Sequence, residues 1–167
     1  MLKKAEAFVE NRVFATLDPL KRRVKRWFNN QVIDFVLVDT VGFIRDLPRQ
    51  LEEAFKATVK EAVDANLLLL VVDISDKDAF LKFNAVKKIL LSQGANWADV
   101  KLVLNKLDIA KNGDWMEFQE FSPICVSAKT GEGVNELLDF ITNEAYKWNQ
   151  LKAQALKAAA MRDRLSA

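Results

Sequence analysis

Four short runs of apolar residues punctuate the chain: Val32 to Val38 (VIDFVLV), Leu67 to Ile74 (LLLLVVDI), Val100 to Leu104 (VKLVL) and Pro123 to Val126 (PICV). They are nearly continuous rather than alternating, the pattern of strands covered on both faces in a parallel sheet. Between them lie segments with helical spacing. Leu47 to Ala65 sets Leu51, Ala54, Phe55, Thr58, Val59 and Ala62 on one stripe, with Asp46 as an N-cap and Pro48 in the first turn. Asp78 to Gln93 turns Phe80, Phe83, Val86, Ile89 and Leu90 inward, and Gly94 ends it. A last helix is predicted from near Val134 to about Arg164. Its first half carries Leu137, Leu138 and Ile141 and closes with Ala145, Tyr146 and Trp148. Its Ala-rich end has helix propensity but few large apolar groups, so it should project, fray or pack on a partner. Strand alternating with helix predicts a layered α/β fold with a mostly parallel sheet and ligands at the carboxyl ends of the strands.

The polar motifs fall at those ends. Asn105-Lys106-Leu107-Asp108 follows the third run. A fixed carboxylate at Asp108 can accept from guanine N1-H and N2-H₂ together, which adenine cannot satisfy. Asn105 would brace neighbouring loops, and the stem of Lys106 would cover one face of the base. Ser127-Ala128-Lys129 follows the fourth run. Its backbone N-H groups can donate to guanine O6, and Lys129 can cover the other face. Thr130-Gly131-Glu132-Gly133 then opens the last helix, where glycine permits a tight turn. Asp39-Thr40-Val41-Gly42 follows the first run. Asp39 could hold a water of a Mg²⁺ ion, which keeps several waters and takes few protein ligands. The N-H of Gly42 can approach a γ-phosphate. Any one of these tetrapeptides also describes an ordinary turn after a strand; three in this order, each after a strand, point to a guanine-nucleotide site.

Composition narrows the field. With 167 residues, half of them apolar, the chain can bury one core. The net charge of +2 does not by itself call for a nucleic-acid partner. The absence of histidine excludes imidazole zinc sites, Ser-His triads and His general bases. The single cysteine, Cys125, excludes an internal disulfide framework and points to the cytoplasm. Its apolar setting favours a core thiol over a reactive one. No apolar run approaches the ~20 residues of a membrane helix. The four tryptophans, Trp27, Trp97, Trp115 and Trp148, are expected to pack. Lys21, Arg22, Arg23, Lys25 and Arg26 form a basic cluster, which fits either RNA phosphates or a solvated strand edge. Asp73 ends a strand and is expected to cap the next loop, with a functional role as the lesser reading.

FATLDPLKRRVKR at 14 to 26, then DTVGFIRDLP from Asp39 and a helix containing AFKAT, is similar to the HflX family of ribosome-associated GTPases. The likeness covers roughly residues 5 to 145. It implies an incomplete Ras-like P-loop GTPase domain over residues 1–147, with a helical extension over 148–167. It implies that Thr16 ligates Mg²⁺ as a switch threonine and that Asp39 and Gly42 form the second switch. Asn105, Lys106, Asp108, Ser127, Ala128 and Lys129 would form the guanine site. Phe43 stands where many small GTPases carry a water-orienting glutamine, which implies slow or partner-dependent hydrolysis. The implied partners are GTP or GDP, Mg²⁺ and the RNA or protein of the large ribosomal subunit.

The sequence departs from that pattern where phosphates are held. It contains no Gly-Lys dipeptide and so no GxxxxGK[ST], and Leu20 and Lys21 replace two usual threonines. The expectation is a truncated GTPase lacking the first strand, the P-loop and most of the first helix. Nucleotide binding would then be weak or absent, with no catalytic residue in place. A missing central strand would leave two open edges, inviting direct closure, self-association or strand donation by another chain. Three alternatives stay open: one half of a split GTPase, a nucleotide-independent RNA- or protein-binding module, and a remnant without function.

Overall fold

The structure is a computed structural model that describes residues 20–40, 59–60, 62–111 and 113–165, the side chains of 163–165 excepted. Thr16, Gly42, Phe43 and most of the segment from Leu47 to Ala65 lie outside the described residues.

Strands β3 (Leu68–Asp73), β4 (Val100–Asn105) and β5 (Ile124–Cys125) form a parallel sheet in the order β3-β4-β5. Each expected apolar run in this part of the chain supplies one strand. Both faces are covered. Leu70, Val72, Leu102 and Leu104 pack with Phe83 and Leu90 of α1 (Ala79–Ser92) and with Phe118. Val103, Ile124 and Val126 pack on the opposite side with Val134, Leu137 and Phe140 of α2 (Val134–Leu165). Alternate side chains of β4 therefore enter different clusters, yet Leu102, Val103 and Leu104 are all buried. This is why the strand is apolar at consecutive positions.

Phe80, Phe83, Trp97, Phe118 and Phe121 form an aromatic wall beside α1, with ring centroids 4.8 to 6.2 Å apart. The Lys87 ammonium stands over it, 4.7 Å from the Trp97 ring and 4.4 Å from Phe121. Ile89, expected inward, is exposed. Trp97 packs as expected, but Trp27, Trp115 and Trp148 are exposed.

β1 (Leu20–Phe28) and β2 (Gln31–Asp39) form a separate antiparallel hairpin. The run at Val32 to Val38 is thus a strand, but an antiparallel one. Asn29 and Asn30, at φ 47° and 60°, make the two-residue turn whose backbone twist suits a hairpin. One hairpin face meets α2: the Phe28 ring sits edge-on to Tyr146 at 5.6 Å, and Arg26 pairs with Asp139 at 3.0 Å. Among the described residues, β2 pairs only with β1 and β3 only with β4. The two sheets do not close directly onto one another there.

α2 runs unbroken for 32 residues. Ile141 and Thr142 are buried, but every residue from Lys147 to Arg162 is exposed. The second half of the helix therefore extends beyond the core. No helix among the described residues is long and apolar enough to cross a membrane.

Candidate functional site

The parallel register sets Asp73 beside Asn105, and Leu104 beside Cys125. The carboxyl ends of β3, β4 and β5 therefore open at one edge of the sheet. Backbone bonds tie the loops together there. Ile74 N donates to Asn105 O at 3.1 Å, Val126 N to Leu104 O at 2.7 Å and Leu107 N to Val126 O at 3.1 Å.

Asn105 is the hub. Its Oδ1 accepts from Lys106 N at 2.8 Å and from Ala128 N at 3.0 Å, joining the loop after β4 to the loop after β5. Lys106 is left-handed, at φ 70° and ψ 35°, a conformation uncommon for a side-chain-bearing residue and frequent at functional sites. Its ammonium pairs with Asp73 Oδ2 at 2.6 Å.

Asp108 is held from the other loop. The Ser127 hydroxyl donates to Asp108 Oδ1 at 2.7 Å, and Lys129 Nζ stands 3.7 Å from Oδ2. The hydroxyl of Ser127, and more weakly the charge of Lys129, keep the carboxyl below its ordinary range despite some burial. It is therefore ionised at neutral pH. An ionised carboxylate has about four acceptor positions, so both oxygens keep capacity for further donors. Ser127 is fully buried, and its Oγ also accepts from Thr130 N at 3.1 Å.

The turn into α2 depends on glycine at one position above all. A Cβ on Gly133, at φ 69°, would stand 2.1 Å from the carbonyl oxygen of Cys125. Only a hydrogen fits where the helix start crosses β5.

Asn105, Lys106, Asp108, Ser127, Ala128 and Lys129 are thus brought into one cluster. Two amides expected to face O6 are engaged elsewhere: Ser127 N donates to Glu132 O at 2.9 Å and Ala128 N to Asn105. Among the described residues, the Lys129 amide is the one of the three without such an internal bond. Asp39 stands exposed at the end of β2. It offers one carboxylate, which suits an ion bound mostly through water and phosphate; its expected companions Thr16 and Gly42 are outside the described residues. Asp73 is the participant whose part in the cluster could not be seen in the sequence. Lys106 and Ser75 keep its carboxyl below the ordinary range even though burial pushes the other way.

The model of a family described as 50S ribosome-binding GTPase matches residues 1–106. GTPase HflX of Caldanaerobacter subterraneus subsp. tengcongensis is 40% identical over 146 residues, covering 86% of this chain and 32% of that protein. GTPase HflX of Escherichia coli is 37% identical over 143 residues, covering 83% and 33%. The chain belongs to the HflX family of GTPases. It spans about a third of the length of these curated relatives. A GTP-binding protein from Sulfolobus solfataricus, solved in complex with GDP, superposes with a TM-score of 0.60 at 30% identity, over 76% of this chain and 45% of that one. The partial α/β P-loop GTPase fold follows from that superposition and from the parallel sheet. The segments Asn105–Asp108 and Ser127–Lys129 lie on the two loops that Asn105 ties together.

Proposed function

We propose that these residues form the base-binding half of a GTP site. Asp108 would accept from the guanine N1-H and N2-H₂, the Lys129 amide would donate to O6, and Lys106 and Lys129 would flank the ring. The observation that carries this reading is the Asp108 carboxylate, ionised and oriented by the buried Ser127 hydroxyl, with capacity left on both oxygens. In this reading Thr16 and Asp39 serve a Mg²⁺ ion, and Gly42 meets the γ-phosphate. The parent activity is GTP hydrolysis coupled to binding of the large ribosomal subunit in the cytoplasm.

The sequence has no GxxxxGK[ST]. In this reading a phosphate cradle and its strand would have to come from outside these 167 residues, from another stretch of a longer chain or from a second chain. The open edges of β2 and β3 would receive that strand; self-association through them is the alternative. The core G domain ends near residue 147 and the rest of α2 is an extension.

Calorimetric titration with GDP, and with GTP plus Mg²⁺, against an ATP control tests this. We expect weak, guanine-specific binding that is lost in Asp108→Asn, and no GTP turnover by the 167 residues alone. Equal binding of ATP would sink the base-site reading. Turnover that disappears in Asp108→Asn would sink the claim of incompetence.

One observation favours a second reading. The outward face of β1 carries Lys21, Arg23 and Lys25 beside a Trp27 that is 70% exposed. Cations interleaved with an aromatic suit an RNA surface. Salt-dependent RNA binding unaffected by changes at Asn105 and Asp108 would support it.

A further inference from the structure

We propose that Asp73 is a positioning residue for the base site: it anchors the Lys106 ammonium so that the lysine stem is already ordered before the base arrives. This rests on the base-site reading above. It adds a third strand end, that of β3, to the two that carry the motifs.

The bonds form a chain. Ser75 donates twice to Asp73 Oδ1, from its N-H at 3.1 Å and its hydroxyl at 2.6 Å. Asp73 Oδ1 is fixed by those donors, and Oδ2 is left to meet Lys106 Nζ at 2.6 Å. The backbone of Lys106 is held at its other end. Its N-H goes to Asn105 Oδ1, and the next amide, on Leu107, goes to Val126 O. Both ends of the side chain are therefore anchored, across a left-handed backbone.

The bland reading is a surface ion pair. Side-chain exposures of 38% for Asp73 and 51% for Lys106 put the pair in that class, so it adds little to stability. Its value lies elsewhere. Lysine has a flexible four-carbon stem. A stem left free would have to be ordered when the base binds, and ordering it beforehand removes that cost from the binding step. Asp108 and Asp76 also act on the Lys106 charge, but the hydrogen bond that Lys106 donates to Asp73 dominates. Asp76 is itself engaged by Lys82.

Two measurements on the full chain test this. Lysine-selective NMR of the ammonium groups should find Lys106 restrained in the wild type and mobile in Asp73→Asn. A mobile Lys106 in the wild type overturns the proposal without any nucleotide. The second is a double-mutant cycle read by GDP and IDP binding. Asp73→Asn should weaken both nucleotides by about two- to tenfold, the effect of ordering one long side chain. The GDP-to-IDP ratio should hold, because Asp108, which reads the 2-amino group, is untouched. In a Lys106→Met background, Asp73→Asn should add nothing. A further loss there would mean that Asp73 acts through the Ser75 loop as a structural residue, and would overturn the proposal. Asp108→Asn separates the two claims. If it leaves GDP binding and the ratio unchanged, or if no variant binds GDP, the base-site reading itself falls and this assignment falls with it.

Discussion

β4 and β2 are built from similar residues and end in different circumstances. In β4, Leu104 is 0% exposed; in β2, Val32 and Val36 are 56% and 55% exposed. Both strands are rich in branched apolar side chains, so residue type does not set the difference. β4 lies between two strands and beneath α1 on one face and α2 on the other. β2 has a strand partner on one side among the described residues, and α2 meets one hairpin face. The energetic weight of a strand is set by what covers it. The parallel sheet should therefore be intolerant of change and the hairpin face forgiving.

The most severe test is Gly133→Ala. The added carbon would sit 2.1 Å from the Cys125 carbonyl oxygen, a backbone atom that cannot swing aside, at φ 69°. We expect a loss of more than about 4 kcal/mol, or no cooperative transition at all in urea. Gly94, also at positive φ but with nothing within 4 Å of its would-be Cβ, is the control. Gly94→Ala should cost about 1 kcal/mol. Similar losses at both positions would show that φ alone matters and that the close approach of α2 to β5 does not.

Leu104→Ala comes next. A fully buried leucine in the centre of the larger cluster should cost about 2–5 kcal/mol, measured as a shift in the urea midpoint at constant slope. A loss below about 1 kcal/mol would mean that the sheet collapses around the cavity and that the contrast with β2 is overstated.

Much of this was legible beforehand, for reasons the two regions make plain. Burial on both faces forces apolar residues at consecutive positions, and such runs stand out. All three parallel strands were visible that way. β1 was foreshadowed only as a basic, solvated strand edge: LKRRVKRWF has no apolar run, and the Asn29-Asn30 turn that makes the hairpin is plain only in the structure. That Asn105, Lys106, Asp108, Ser127, Ala128 and Lys129 would gather in one place was legible because both segments directly follow apolar runs that become neighbouring strands. Asp73 was not, because an aspartate after a strand is common and its partnership with Lys106 depends on the register of β3 on β4. The exposed Trp27, Trp115 and Trp148 defeated the expectation that tryptophan packs. Large apolar residues at a surface carry no pattern that separates them from core.

Acid should act on both regions with the same sign. Asp73 and Asp108 at the site, and Asp34 paired with Arg23 at 2.7 Å in the hairpin, all have carboxyls held below the ordinary value of 3.8. For Asp34 the hydrogen bond from Arg23 is the main cause. A depressed carboxyl contributes stability that is complete above its unfolded value and lost as pH falls through the folded one. The urea midpoint should therefore be flat near neutrality and decline from about pH 4 downward. Asp108→Asn should flatten that decline. Salt should erode the Asp34 share more than the Asp108 share, because Asp34 is the more exposed carboxylate and is held by a charged partner, whereas Asp108 is held mainly by the Ser127 hydroxyl. A decline beginning near pH 6 would contradict the depressed carboxyls.

Val36→Ala is the mildest change and the one that decides whether the hairpin face is as open as it looks. Val36 lies across from Arg23 on the face turned away from α2. With half of its surface already in water, truncation removes little burial, and the remaining effect is the strand preference for a branched side chain. That preference spans about 1 kcal/mol and depends on neighbours. We expect a loss below about 1 kcal/mol by urea melting, and no change in GDP binding. A loss approaching that of Leu104→Ala would mean that Val36 is covered in solution, by another part of a longer chain or by a second copy. Repeating the melt over a range of protein concentrations separates those two. A midpoint that rises with concentration places the cover in another molecule, and one that does not places it in the same chain.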